Sequence, residues 1–238
     1  MTETTSESSA SPVVEAPPLP ALPVRLVQVF TSPARLFDAL AATPRWVGAL
    51  VTVVALGLVV QALIPADMLR ELMMAGLPRD ATPEQIAAAE RGVEIGMNVR
   101  WVGTVLFPPL LVLLAAGYVL LVWNTLLGGD AGFRPIFASA SHAYVIWAFG
   151  GLLTLPLVLA SGDPRTAFAL HLLVPFLEPD GYAFRFLRGL NVFGLWTMIV
   201  LGVAVSRLYP RRSAGGAAAV LVLTYVLLKA VGAILAPA

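Results

Sequence analysis

Five long apolar stretches divide the chain, at 46–64, 101–127, 136–160, 189–209 and 217–236. Each approaches or exceeds the ~20 residues a helix needs to cross ~30 Å of hydrocarbon. A backbone in lipid must satisfy its own hydrogen bonds, so each stretch reads as a membrane helix. The fourth is the most sharply bounded. It carries no Asp, Glu, Lys or Arg from Gly189 to Ser206, then meets Arg207, Arg211 and Arg212.

Ahead of the first span the pattern changes twice. Residues 1–23 are rich in Ser, Thr, Glu and Pro and cannot bury enough apolar surface to order themselves, so a disordered tail is expected there. The acidic opening lacks the basic start and apolar core of a signal peptide, which leaves the first span as the uncleaved insertion signal. Over 24–45, Leu26, Val27, Phe30, Leu36, Phe37 and Leu40 alternate with Arg25, Arg35 and Arg45. That pattern predicts a short amphipathic helix lying on the cytoplasmic surface, entered through a turn at Thr31, Ser32 and Pro33.

The connections carry their own signals. Thr82-Pro83-Glu84-Gln85 places Thr as N-cap, Pro at the first helical position and Gln at the third, and so predicts a helix start leading into the second span. Gly128, Gly129 and Gly132 make the next connection tight, so the second and third spans should be antiparallel neighbours. Residues 167–177 are apolar but interrupted by His171 and Pro175. They are too few to cross, and predict an interfacial or partly inserted segment. Glu178 and Asp180 around Pro179 read as a solvated turn rather than a metal site.

Composition agrees with the pattern. The 238 residues are 58% hydrophobic and 12% charged, against about 25% charged in soluble domains. The expected fold is all-α: a polytopic, five-helix transmembrane bundle over 46–238 with short interfacial helices, preceded by the amphipathic segment and the tail. A net charge of +1 gives no dense basic face for a nucleic acid. The absence of cysteine removes disulfides, thiolate catalysis and Cys-based metal sites. No zinc-protease, nucleophile-elbow or phosphate-loop motif occurs, so neither enzyme chemistry nor a cofactor is expected.

The basic residues orient the bundle. Arg25, Arg35, Arg45, Arg134, Arg207, Arg211 and Arg212 fall on one side, and Arg70, Arg79, Arg91, Arg100, Arg165, Arg185 and Arg188 on the other. The first group sits in short connections, where the positive-inside rule has its force. This predicts a cytoplasmic N-terminus and, with five spans, a C-terminus outside.

Polar residues inside spans are costly, and each invites a functional and a structural reading. His142 lies in the third span beside Ser139 and Ser141. Counting ~1.5 Å per residue from the glycine turn places it level with Asn124, close enough for an interhelical hydrogen bond. A proton relay competes with a packed neutral histidine, and the lack of any carboxylate within the spans favours packing. Lys229 in the last span is placed to snorkel toward the nearby end or to pair within the membrane. His142, Asn124 and Lys229 together form the candidate polar site. Pro108, Pro109 and Pro156 break backbone ladders that neighbouring helices can re-satisfy. Gly194, Gly202 and Ser206 form a stripe of small residues suited to close helix contact, within the chain or between copies.

Four stretches together resemble the bacterial branch of the Yip1 domain family: Thr31 to Phe37 ahead of Pro44-Arg45-Trp46; Gly128 to Arg134 leading into Ala143-Tyr144 and Pro156; Leu190 to Trp196; and the arginine-rich turn before the alanine-rich last span. The resemblance covers about 31–235 and implies a five-span bundle with a cytoplasmic N-terminus. Eukaryotic members bind Rab-type GTPases, but their Asp-Leu-Tyr-Gly-Pro signature is missing here, so that partner does not follow. The expected function is that of a non-enzymatic protein of the bacterial cytoplasmic membrane, acting by contact with lipid, a protein partner or its own copies. A small-solute or lipid transporter with a polar site between spans 2, 3 and 5 is the alternative.

Overall fold

The computed structural model describes residues 19–75, 77–78, 80–162, 168–178 and 181–235. Nearly all of the tail expected over 1–23 lies outside that set, as do Arg79, Arg165, Ala167, Pro179, Asp180 and Ala236. The described residues are helical, with one isolated bridge between Ala169 and Asn191 and no strand. In chain order the helices are α1 (Leu22–Thr31), α2 (Pro33–Ala42), α3 (Val47–Leu63), α4 (Ala66–Met74), α5 (Pro83–Val119), α6 (Phe133–Ser161), α7 (Tyr182–Gly189), α8 (Val192–Leu208) and α9 (Ala214–Leu235). A π-helical segment, Leu120–Leu126, continues α5, and a 3-10 turn, Leu170–Leu173, precedes α7.

Three helical stretches are long and apolar enough to cross a membrane: Pro83–Leu126, Phe133–Ser161 and Ala214–Leu235. A fourth crossing is available if α3 and α4, bent by 87° at their junction, count as one broken span. The chain therefore has the build of a membrane protein. Its wide apolar exposure has the same cause, since α5 and α9 turn large side chains such as Leu106, Leu114, Leu228 and Ile234 outward. In lipid that exposure costs nothing.

Local sequence explains the helix ends. The Thr82 hydroxyl accepts from the Gln85 amide at 3.3 Å and the Gln85 side chain accepts from the Thr82 amide at 2.8 Å, closing the capping box ahead of Pro83. At the other end of this long helix Gly128 adopts φ +69°, and the Gly129 amide donates to the Trp123 carbonyl at 2.8 Å. A Cβ on Gly129 would lie 2.6 Å from the Tyr209 ring, so this glycine is required by a neighbouring side chain as well as by the turn. α6 then folds back against α5 as expected.

The segment 24–45 departs from its expectation. It forms two helices, and Thr31, Ser32 and Pro33 lie at the bend between them rather than at the entry. Val29, Leu36, Phe37 and Leu40 have no exposed surface, and α2 packs against α6 and α8. Leu22 sits beside Gly48 at the start of α3, while the Phe30 ring stands edge-on to Phe149 at 5.4 Å and Trp196 at 5.5 Å. Phe149 is ~24 Å along α6 from its first residue at 1.5 Å per residue. The pair is thus a helical hairpin inserted into the bundle. An amphipathic stripe looks the same whether lipid or protein covers it, which is why the pattern alone placed it on the surface.

Residues 168–178 stay beside the N-terminal end of α8. The Leu170 amide donates to the Leu190 carbonyl at 2.9 Å, and Leu173 and Phe176 are strongly exposed. This pairing ties the segment to the start of α8.

Candidate functional site

The fully buried polar centre of the bundle is His142, beside Ser139 and Ser141 on α6. Its partner comes from the inserted hairpin. Arg25 Nη1 lies 3.3 Å from His142 Nε2 and donates to the Arg45 carbonyl at 3.2 Å. A guanidinium only donates, so Nε2 must accept, and Nδ1–H then donates to the Ala138 carbonyl at 2.8 Å. The imidazole is therefore neutral and held at both nitrogens. Arg25 itself is 7% exposed. Burial first, and the Arg45 guanidinium second, lower its pKa from the ordinary value, the sign expected for a cation without a carboxylate partner.

Asn124 is elsewhere. In the π-helical segment its Oδ1 accepts from the Tyr209 hydroxyl at 2.6 Å and its Nδ2 donates to the Ala131 carbonyl at 2.9 Å. The hydrogen bond expected between Asn124 and His142 is thus replaced by a clasp between the α5–α6 turn and the end of α8. Depth along each helix matched, but the helices present those residues to different neighbours. Lys229 packs its stem against Gly189 and holds Nζ 5.5 Å from the Tyr225 ring. Gly189 and Tyr209 flank the two ends of α8, ~25 Å apart for 17 residues. Lys229 and Asn124 therefore do not meet, and the three candidate polar residues form three separate contacts.

The small-residue stripe faces inward within the chain. A Cβ on Gly202 would lie 2.5 Å from the Ala218 backbone, and one on Gly194 would lie 2.5 Å from the Tyr225 hydroxyl, so both let α9 approach α8. Ser206 instead donates to its own helix, at the Val203 carbonyl, 2.8 Å away. His171 stacks edge-on to Phe184 of α7 at 4.9 Å.

A second site was not among the sequence expectations. A cavity of about 590 Å³ opens between α3, α5 and α6. One glycine from each helix lines it: Gly57, Gly103 and Gly151. Toward the start of α3 the wall is apolar, with Val53, Phe107 and Ala148; toward its end Gln61, Arg100 and Thr104, with Thr154 and Asn191, supply polar groups. The buried Arg100 Nε and Gln61 Nε2 have no hydrogen-bond partner. Arg100 Nη1 reaches only the Met97 sulfur at 3.7 Å, and the guanidinium lies 5.0 Å from the Trp101 ring centre. The available signal was Arg100 directly before an apolar span together with Gln61 near the end of another. Nothing local showed that the two line one space. Among the described residues no cluster of His, Cys, Asp or Glu could hold a metal ion.

No family model, curated protein or solved structure matches the chain.

Proposed function

We propose that the chain is a non-enzymatic, five-span protein of the bacterial cytoplasmic membrane, of Yip1-like layout, that works by contact with lipid or a protein partner. In this reading α3, α5 with its π-helical extension, α6, α8 and α9 are the spans. The 17 residues of α3 and of α8 stand at the short end of the ~17–25 that crossing requires. The hairpin enters from the cytoplasmic side.

The observation that carries the reading is the closure of the polar centre. A relay or solute pathway through His142 needs water at the ring, and His142 has no exposed surface, with both nitrogens engaged by Arg25 and Ala138. The orientation is supported by the grouping of basic residues at one end. Arg212 donates to the Leu127 carbonyl at 3.0 Å and Arg207 lies 3.7 Å from Asp38 of the hairpin, so the short arginine-rich connections share that end with the N-terminal helices.

Because the chain has no cysteine, single engineered thiols report accessibility cleanly. In native membranes Ala143→Cys, beside His142, is expected to resist a water-soluble maleimide that labels Ser213→Cys from the cytoplasmic side. Labelling of both at similar rates would favour the transporter alternative. A reporter active only outside the membrane should work when fused after Ala238 and fail at the N-terminus; the reverse would overturn the orientation.

A further inference from the structure

The α3–α5–α6 cavity has one chemical character at Arg100 and Gln61 and another below. Arg100 directly precedes the apolar run of the second span, and Gln61 lies near the end of α3, so both belong to the outer end of the bundle. Their unpartnered nitrogens are donors. Among the described residues Arg100 has no carboxylate partner, and its one Nη acceptor is a thioether, a weak one. Thr104 does not relieve the surplus: its hydroxyl donates to the Arg100 carbonyl at 3.0 Å, and neither nitrogen donates to it. A cation and a free amide donor at the mouth of an apolar cavity call for an acceptor, and an anionic one answers both.

Deeper in, the void exists because side chains are missing. A Cβ on Gly103 would meet nothing within 4 Å, and one on Gly151 would only touch Val60 at 3.9 Å. The volume of about 590 Å³ falls inside the ~300–1,000 Å³ of small-ligand sites. Apolar walls under a polar rim match a molecule with one hydrocarbon chain and one charged end. Trp101, stacked on Arg100, adds the amphipathic ring that marks the headgroup level.

We infer that this cavity binds a single-chain anionic amphiphile, its carboxylate or phosphate held by Arg100 and Gln61 and its hydrocarbon chain running among Val53, Phe107 and Ala148. This names the lipid class behind the lipid-contact reading above, and rests on it. Bilayer lipid filling the same void without regard to its headgroup is the competing account, and it makes a different prediction about charge.

Trp147 lines the cavity and supplies a reporter. The full chain in uncharged detergent micelles would be titrated with dibrominated stearate, whose bromines quench nearby tryptophans. The expected result is saturable quenching whose amplitude falls in Trp147→Phe. Dibrominated stearyl alcohol, with the same chain and no charge, should bind about tenfold or more weakly, as should the acid to Arg100→Gln. Gly103→Leu, which fills the void, should abolish the quenching that Gly103→Ala retains. A chain-brominated lysophosphatidate separates the two headgroups, and tighter binding of either anion supports the assignment. Equal quenching by acid and alcohol, unchanged in Arg100→Gln, would overturn it. That result would leave the non-enzymatic membrane reading intact, which the thiol-labelling and reporter experiments test independently.

Discussion

Arg25 and Arg100 are the same residue type placed in the same bundle with opposite outcomes. Each leaves its Nε without a hydrogen-bond partner. The difference lies at the tip of the fork. Arg25 Nη1 finds a backbone carbonyl and a histidine nitrogen, whereas Arg100 Nη1 finds a sulfur and a cavity. The first joins hairpin to bundle and is part of the packing. The second is a charge awaiting a partner. A basic residue in the bundle is therefore read as structure or as site by the acceptors that the tertiary fold brings to it, not by its neighbours in sequence.

The sharpest way to break this contrast is to remove an acceptor from Arg25. His142→Leu should lower stability by about 3 kcal/mol, because a buried guanidinium loses its side-chain partner. His142→Gln, which keeps an acceptor, should cost much less, and Arg25→Met combined with His142→Leu should recover most of the loss. Denaturation midpoints in mixed micelles measure all three together with Arg25→Met alone, and additive single effects would show that the two residues are not coupled.

Gly202→Val tests packing without charge. With 2.5 Å between a Cβ there and the Ala218 backbone, overpacking should cost about 1–3 kcal/mol. Tyr209→Phe removes the hydroxyl donated to Asn124 at 2.6 Å and should cost about 0.6 kcal/mol, the average for interhelical hydrogen bonds in membranes. Arg100→Gln should change stability by less than about 0.5 kcal/mol, since no strong bond is lost. A loss near that of His142→Leu would mean that Arg100 is structural after all, and would erase the contrast. The exposed pair of Asp38 and Arg207 should contribute least, so Asp38→Asn is expected to shift the midpoint within about 0.5 kcal/mol.

Some of the candidate site was legible beforehand and some was not. His142 was identifiable as a polar group at depth, and the reason to doubt a relay, the lack of an intramembrane carboxylate, agrees with its closed surroundings. Its partner was not identifiable, because Arg25 is 117 positions away and belonged to a segment whose amphipathic pattern fits a membrane surface as well as a protein groove. Asn124 had the expected depth but faced Tyr209. Gly57, Gly103 and Gly151 are unremarkable singly, and only their convergence from three helices makes a void.

What the sequence determined by itself is local. The capping box at Thr82, the turn at Gly128, the helical runs of α5, α6 and α9, and the small faces at Gly194 and Gly202 follow from residues within a few positions of one another, where helix hydrogen bonding, left-handed backbone and side-chain volume decide. The tertiary structure alone decided what each face meets. Insertion of the α1–α2 hairpin, the pairing of Arg25 with His142 and the unanswered donors of Arg100 and Gln61 depend on helices distant in sequence, and hydrophobic attraction, being non-directional, leaves that choice to shape and to the polar groups that must be satisfied.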